Sequence, residues 1–383
     1  MSELTLRIRP KSKVTKTDIE NVSIALLALV GIMQTSEIFY VWDEFIDAIK
    51  FLIFLLSIVV LYLQLADQKL SYRSLARMLF IVGILTYTCI RTKNFSFLLI
   101  CLFLLTGRST TIENFVKRSL KILIIFGGGH ILLWCVNTIM PLGLTIYTNE
   151  SERRIAFGFT HPNICAIKFG WGILMYLWLN WNHMTKRKWG LLYTLSAMFY
   201  VATKSDSWLI IFFILILAGF RKNKILRRFI SAFSCVAFPV FGIFNILTSY
   251  YFLVDGRLSN YSLLLDKLFN RRISMGYLAI KENGLTVLGQ AIRMNHDWDP
   301  IFNYNGYTID STYIYLSVCV GIIYFALISI GFFKLGKYKS YKTALIIIAF
   351  SLFCLIEVHS IYLSNSFAIL LLKAVIFKEK ELQ

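Results

Sequence analysis

Apolar runs of membrane-spanning length succeed one another from residue 22 to residue 377, separated by short polar turns that are often basic. A chain of 383 residues that is 57% hydrophobic and only 16% charged cannot hide so much apolar surface in one water-soluble core. In a bilayer the backbone N–H and C=O groups find no water, so each run must satisfy its own hydrogen bonds as a helix. The pattern predicts an all-α, polytopic integral membrane protein and excludes the soluble and disordered classes. The net charge of +19 does not require nucleic acid as a partner. Lysine and arginine collect in the cytoplasmic loops of membrane proteins, and the partner implied here is the lipid bilayer. The seven cysteines form no CxxC pair and sit mostly within apolar runs, where thiols serve as small packing groups.

Residues 1–21 are polar and basic, with Arg7, Arg9, Lys11, Lys13 and Lys16, and read as a cytoplasmic tail rather than a cleaved signal. About twelve spans are predicted, at 22–40, 49–65, 75–90, 94–106, 121–140, 164–181, 189–203, 207–220, 229–251, 311–331, 343–361 and 363–377. The large basic loops fall on the even-numbered turns, which puts both termini inside. Arg91 and Lys93 lie outside, against that bias. Gly127-Gly128-Gly129 would allow close packing or a bend within the fifth span. The organisation is therefore a basic tail (1–21), nine spans over 22–251 carrying an external motif at 150–163, a large extracytoplasmic loop (252–310), and three spans with a cytoplasmic tail (311–383).

The external motif reads Arg153-Arg154-Ile155-Ala156-Phe157-Gly158-Phe159-Thr160-His161-Pro162-Asn163. Pro162 suits the first turn of a helix, where a missing N–H is not needed. His161 and Asn163 then stand at a positive helix end on a membrane surface, beside two fixed cations, an arrangement that suits an anion with several oxygens. The plainer reading is a helix start flanked by snorkelling arginines.

The long loop carries the second cluster. Asp255-Gly256-Arg257 reads as a turn. Residues 261–269 are amphipathic, with Leu263, Leu264, Leu265, Leu268 and Phe269 in reach of a membrane surface. Asn270-Arg271-Arg272 follows, then a helix over 273–283 stopped by Gly284. A short strand or turn over 285–289 leads to Arg293, His296, Asp297, Asp299 and Pro300, and Asp310 closes the loop. A transporter would carry charges at mid-span. Here Glu37 and Glu357 come nearest to that, and each lies close to an outer end, so an active site at the outer leaflet explains the pattern more simply. Asp297 and Asp299 alone make a weak metal site. No His/Cys group has zinc spacing, and phosphate-loop, dinucleotide and nucleophile-elbow motifs are missing. No metal or cofactor is expected.

The stretch from Arg154 to Asn163 resembles the motif of Gram-positive capsule and exopolysaccharide repeat-unit polymerases of the Wzy type. Arg272-Ile273-Ser274-Met275-Gly276, with Leu288-Gly289 beyond it, is similar to that family's external-loop arginine and glycine turn. Asp310-Ser311-Thr312-Tyr313 resembles the aspartate-led start of the next span, and Glu357 with Asn365 resembles the last spans. The likeness covers about residues 150–370.

The resemblance implies a metal-independent membrane glycosyltransferase of the C-type architecture, related to O-antigen ligases. Such enzymes join oligosaccharide repeat units on undecaprenyl pyrophosphate at the outer face of the cytoplasmic membrane. Its substrate partner would be the undecaprenyl-pyrophosphate-linked oligosaccharide, with a flippase and a chain-length regulator as protein partners. A pyrophosphate leaving group needs charge stabilisation more than acid help, and arginine keeps its proton and matches phosphate oxygens.

On this reading Arg154 grips pyrophosphate or positions the acceptor and Arg272 pairs with it from the loop, with Arg153 and Arg271 doubling them. His161 is a base or a phosphate hydrogen-bond donor, and Asn163 orients His161 or binds sugar hydroxyls. Asp310 is a base candidate. Glu357 is counted with His161 and Asp310 among the catalytic candidates; it would cost about 2.5–3.5 kcal/mol unpaired at the bilayer centre and so needs a partner, His359 or an arginine. Structural alternatives stand beside each role: a membrane-edge anchor for Arg154 and a solvated loop charge for Arg272. For His161 the alternative is a helix-start residue, for Asn163 and Asp310 caps, and for Glu357 half of a buried pair. Trp298, Tyr304 and Tyr307 are either sugar-stacking or interface aromatics. A ligase on the same scaffold, a lipid-linked oligosaccharide flippase and a membrane scaffold are the competing functions.

Overall fold

A computed structural model describes residues 15–38, 43–67, 72–92, 96–105, 111–140, 148–149, 154–254, 257–258, 260–292, 298–299, 304–305, 307–338 and 340–377. The chain is mostly helical. In order come α1 (Lys16–Met33), α2 (Asp43–Asp67), α3 (Tyr72–Thr92), α4 (Ser96–Leu105), α5 (Ile112–Ile122) and α6 (Gly128–Ile139). Then follow α7 (Pro162–Leu179), α8 (Lys186–Thr203), α9 (Ser207–Gly219), α10 (Lys224–Tyr250), α11 (Asn260–Leu268) and α12 (Arg272–Asn283). The last are α13 (Thr312–Tyr315), α14 (Ile322–Gly336), α15 (Tyr341–Ile356) and α16 (Lys373–Phe377). Among the described residues, three helical stretches are long and apolar enough to cross a membrane: residues 44–63 within α2, the continuous Ile112–Ile139 stretch, and α10. α9, α14 and α15 are apolar but shorter.

Several helices begin or end away from the apolar runs, for local reasons. α1 starts inside the polar tail, because Thr15 and Asp18 cap it reciprocally at 3.2 and 3.0 Å. α5 adds a charged helical stretch ahead of the expected fifth span. Its Ile112, Phe115, Val116 and Ser119 fall on one face and are buried. Of Gly127, Gly128 and Gly129, only Gly127 is tight, where a Cβ would lie 3.1 Å from Leu123 and 3.3 Å from Phe169.

The expected tenth span is broken. After α13 and a π-turn over Leu316–Val320, Gly321 takes φ +125°, and α14 begins afresh. A Cβ at Gly321 would sit 2.3 Å from the Val287 carbonyl oxygen. The loop segment at 286–290 fills the break: Thr286 N donates to Ser317 O (2.9 Å), Gln290 N to Cys319 O (2.9 Å), and Ile322 N to Thr286 O (2.8 Å). Gln290 Nε2 adds a bond to Val318 O at 2.9 Å. Irregular backbone inside a helical bundle is tolerated when protein groups satisfy it in this way.

The last two runs also depart from continuous helices. α15 stops at Ile356, and Glu357 is extended at φ −146°, ψ 118°. The run at 363–377 forms a 3-10 turn (Ala368–Leu372) and the short α16, with Phe367, Leu370 and Leu371 fully buried. It fills the core rather than facing lipid along its length.

That core centres on aromatic packing. Phe238 of α10 lies 5.0–5.8 Å from Tyr313, Phe325, Phe332 and Phe350, ring centre to ring centre. Trp171 of α7 lies 5.6 and 5.8 Å from Phe353 and Phe367. In a bilayer such close packing, rather than escape from water, holds helices together.

The connectivity gathers like ends. α7, α9 and α12 begin, and α8 and α15 end, around Arg154, Asn163, Ser207, Arg272 and Glu357. At the other end lie the α7–α8, α9–α10 and α14–α15 turns. They are tied together by Arg221 to the Trp181 carbonyl, Tyr341 to Leu217 O (2.6 Å), and Lys342 over the Trp178 ring (3.9 Å). Lys186, Arg187, Lys188, Arg221, Lys222, Lys224, Arg227, Arg228, Lys334 and Lys337 all belong to that basic end.

Candidate functional site

The first wall is the motif that leads into α7. Strands β1 (Thr148–Asn149) and β2 (Arg154–Ile155) pair antiparallel, Asn149 opposite Arg154. The next residues turn back over the end of α1: Glu37 N donates to Gly158 O and Thr160 N to Thr35 O, both at 3.0 Å. Gly158 is needed there, because its φ is +81° and a Cβ would meet His130 Nε2 at 2.9 Å. His161 is the N-cap of α7, its Nδ1 accepting from Asn163 N at 3.2 Å. With Nδ1 an acceptor, the ring carries its proton on Nε2. That favours His161 as a hydrogen-bond donor over His161 as a base.

Asn163 is not the cap. Its Oδ1 accepts from Arg154 Nη2 at 2.6 Å, while Arg154 Nε donates to Thr203 O, the last carbonyl of α8, at 2.9 Å. The guanidinium thus joins β2 to the start of α7 and the end of α8.

The second wall comes from the α11–α12 hairpin. Asn270 and Arg271 take left-handed backbone, φ 50° and 64°, which sets the sharp turn into α12. Asp266 accepts Ser274 N at 2.8 Å and so caps that helix. The two neighbouring arginines part company. Arg271 is exposed at the rim, whereas Arg272 is buried. Arg272 Nε donates to Ile356 O at 2.8 Å, Nη1 reaches Phe269 O at 3.4 Å, and Nη2 lies 3.9 Å from Glu357 Oε1. Glu357 is buried behind this guanidinium, and the groups that face it are Arg272, Asp310, Ser207 and Arg154. Its partner is thus Arg272 rather than His359, whose ring lies against Tyr362. Thr312 Oγ1 fixes the Glu357 carbonyl at 2.7 Å. Ser311, not Asp310, caps α13, accepting Tyr313 N at 3.2 Å, which leaves the Asp310 side chain to the cavity.

The two walls enclose one cavity of about 380 Å³, lined by Arg154, Asn163, Lys204, Ser205, Asp206, Ser207, Asn270, Arg271, Arg272 and Asp310. Four cationic side chains face two carboxylates, a surplus of two positive charges. The sequence thus pointed to Arg154, Asn163, Arg271, Arg272 and Asp310, and these do meet. His161 and Glu357 stand just outside the lining. Arg153 lies outside the described residues, as do Arg293, His296 and Asp297; of Trp298, Asp299 and Tyr304 only the backbone is described. Tyr307 is buried, with its hydroxyl against Asn283 Nδ2, and does not line the cavity. Burial holds its phenol above the ordinary pKa.

Sequence reasoning assigned no role to residues 204–207 or to Asn270. The available signal was a polar quartet, Lys204-Ser205-Asp206-Ser207, wedged between two apolar runs at the same end as the motif. Among the described residues, no group of three or more His, Cys, Asp or Glu is placed to hold a metal ion. No protein-family model, curated protein or solved structure matches the chain.

Proposed function

We propose that this protein is a membrane glycosyltransferase that polymerises oligosaccharide repeat units carried on undecaprenyl pyrophosphate. The observation that carries the reading is the shared cavity: Arg154 and Arg272, from segments more than a hundred residues apart, line it together with Asn163 and Asp310. A surplus of positive charge in a polar pocket at a bundle end fits a diphosphate headgroup whose lipid tail stays in the bilayer. The basic turns at the opposite end favour an outward-facing site, with about twelve spans and cytoplasmic termini, because lysine and arginine prefer the cytoplasmic side.

In the proposed step a hydroxyl of the acceptor unit attacks the anomeric carbon of the donor chain. The new glycosidic C–O bond forms as the bond from that carbon to the pyrophosphate oxygen breaks. The leaving diphosphate takes the electron pair, and Arg154 and Arg272 hold its charge. Asp310 takes the proton of the attacking hydroxyl, and such a base contributes about 10²–10⁴-fold. Asn163 keeps Arg154 in place. The scheme uses no metal or cofactor.

A cell lacking the protein tests the reading. Accumulation of single lipid-linked repeat units at the outer face is the expected result. Long lipid-linked polymer would mark a ligase instead, and repeat units trapped at the inner face would mark a flippase; either outcome overturns the proposal.

A further inference from the structure

The turn between α8 and α9 forms the side of the cavity that the proposed mechanism leaves unused. Lys204 ends α8 in a left-handed conformation, φ 46°. α9, a helix of 13 residues, then starts at Ser207 with Asp206 in the cap position but without a side-chain cap bond. Of its first amides, those of Trp208 and Leu209 donate to Ser205 O (3.1 Å) and Asp206 O (2.9 Å), so the turn offers side-chain hydroxyls more than free N–H groups. The Asp206 carboxylate is turned instead to Asn270 Nδ2 across the cavity.

Ser205 and Ser207 are each 1% exposed, both line the cavity, and neither hydroxyl makes a hydrogen bond within the structure. Ser207 lies on the side toward Glu357 but without a bond of ordinary geometry. Buried hydroxyls without partners are costly, and two in one turn are unusual. They sit at a positive helix end in a cavity that the guanidiniums of Arg154, Arg271 and Arg272 also line, which is the setting of a phosphate site.

We propose that Ser205 and Ser207, at the N-terminus of α9, are ligand-binding residues whose hydroxyls donate to the non-bridging oxygens of a diphosphate held against Arg154 and Arg272. This rests on the reading of the cavity as the diphosphate site. The hydroxyls and Arg154, which is tied to Thr203 O beside them, hold one side of the group, and Arg272 reaches it from the start of α12. Two walls of donors, with a surplus of two positive charges, suit a diphosphate better than a neutral sugar.

The test uses the full chain in detergent, with inorganic pyrophosphate and farnesyl pyrophosphate as probes. Affinities are measured by calorimetry for the wild type, Ser205→Ala, Ser207→Ala and the double variant. Each hydroxyl removed should weaken both probes about tenfold, and the pair about a hundredfold, as expected for hydrogen bonds to a charged group. The unliganded Tm should stay unchanged or rise, because each substitution removes an unsatisfied buried hydroxyl. A structural role would instead lower that Tm. Tighter binding of farnesyl pyrophosphate than of pyrophosphate would identify the source as a lipid headgroup, and equal binding a free diphosphate; both agree with the cradle. Wild-type affinity in the double variant, no binding to the wild type, or a fall in the unliganded Tm would each overturn it. The polymerase reading fails separately, if purified wild-type protein does not lengthen chains on lipid-linked units.

Discussion

Replacing Arg154 by lysine separates charge from geometry at the first wall. The guanidinium fork reaches two acceptors at once, Thr203 O at 2.9 Å and Asn163 Oδ1 at 2.6 Å. A lysine ammonium keeps the charge but is a single point on a flexible stem, so it can serve only one of them well. A hydrogen bond to a charged group contributes about 1.5–3 kcal/mol. Losing one therefore misplaces the cation at a cost of about 10- to 100-fold in the rate of chain extension, at roughly 1.4 kcal/mol per factor of ten. Arg154→Ala removes the charge as well and should cost more, about 10²–10³-fold or beyond. The assay is chain growth by purified protein on a lipid-linked repeat unit, with the Tm of each variant measured alongside. Arg154→Lys at the wild-type rate would refute the reasoning. So would a rate loss that merely tracks the fraction unfolded.

Four further outcomes are expected. Arg272→Ala should destabilise the fold by about 3–5 kcal/mol, because it strips the donor from the Ile356 carbonyl and the cation from buried Glu357; a Tm within 2 °C of wild type in detergent would contradict this. Gly321→Ala should abolish stable folding, since its φ of +125° and the Val287 oxygen 2.3 Å from a Cβ leave no room, whereas Gly128→Ala meets nothing within 4 Å and should be neutral or stabilising by about 0.5–1 kcal/mol; comparing the two melting curves decides it. Thr312→Val removes the donor to the Glu357 carbonyl and should cost about 1–3 kcal/mol, read by the same method. Asn365→Leu leaves buried Lys168 without its 2.8 Å acceptor and should be worse than the double variant Lys168→Met/Asn365→Leu, which a double-mutant cycle of Tm values would show.

Local chemistry accounts for what could be read from the residues. Pro162 marks the start of α7, and Gly284, at φ 70°, stops α12 where expected, because each needs only its own backbone preference. Long-range contacts account for what could not. Gly321 looks like any packing glycine in an apolar run until residues 286–290 arrive from the loop to occupy the break. Arg271 and Arg272 are equivalent as a pair of letters. Only the folding of α12 beside α10, with its start near the Ile356 carbonyl, sends one inward and leaves the other at the rim. Asp310 and Ser311 are both good caps by type, and the choice of Ser311 follows from its bonds to Asn245 (2.8 Å) and to Cys354 O (3.1 Å). Ser205 and Ser207 were unreadable as site residues because serine in a turn between two apolar runs is ordinary. Their burial beside two distant arginines is not.

The most direct measurement is a reconstitution. Purified protein is given a single undecaprenyl-pyrophosphate-linked repeat unit, with no nucleotide sugar, and the products are resolved by length. The account predicts a ladder of products with the release of undecaprenyl pyrophosphate, and loss of the ladder in Arg154→Ala assayed at a temperature where that variant is folded. Persistence of single units with the folded wild type, or an undiminished ladder in that variant, would contradict it.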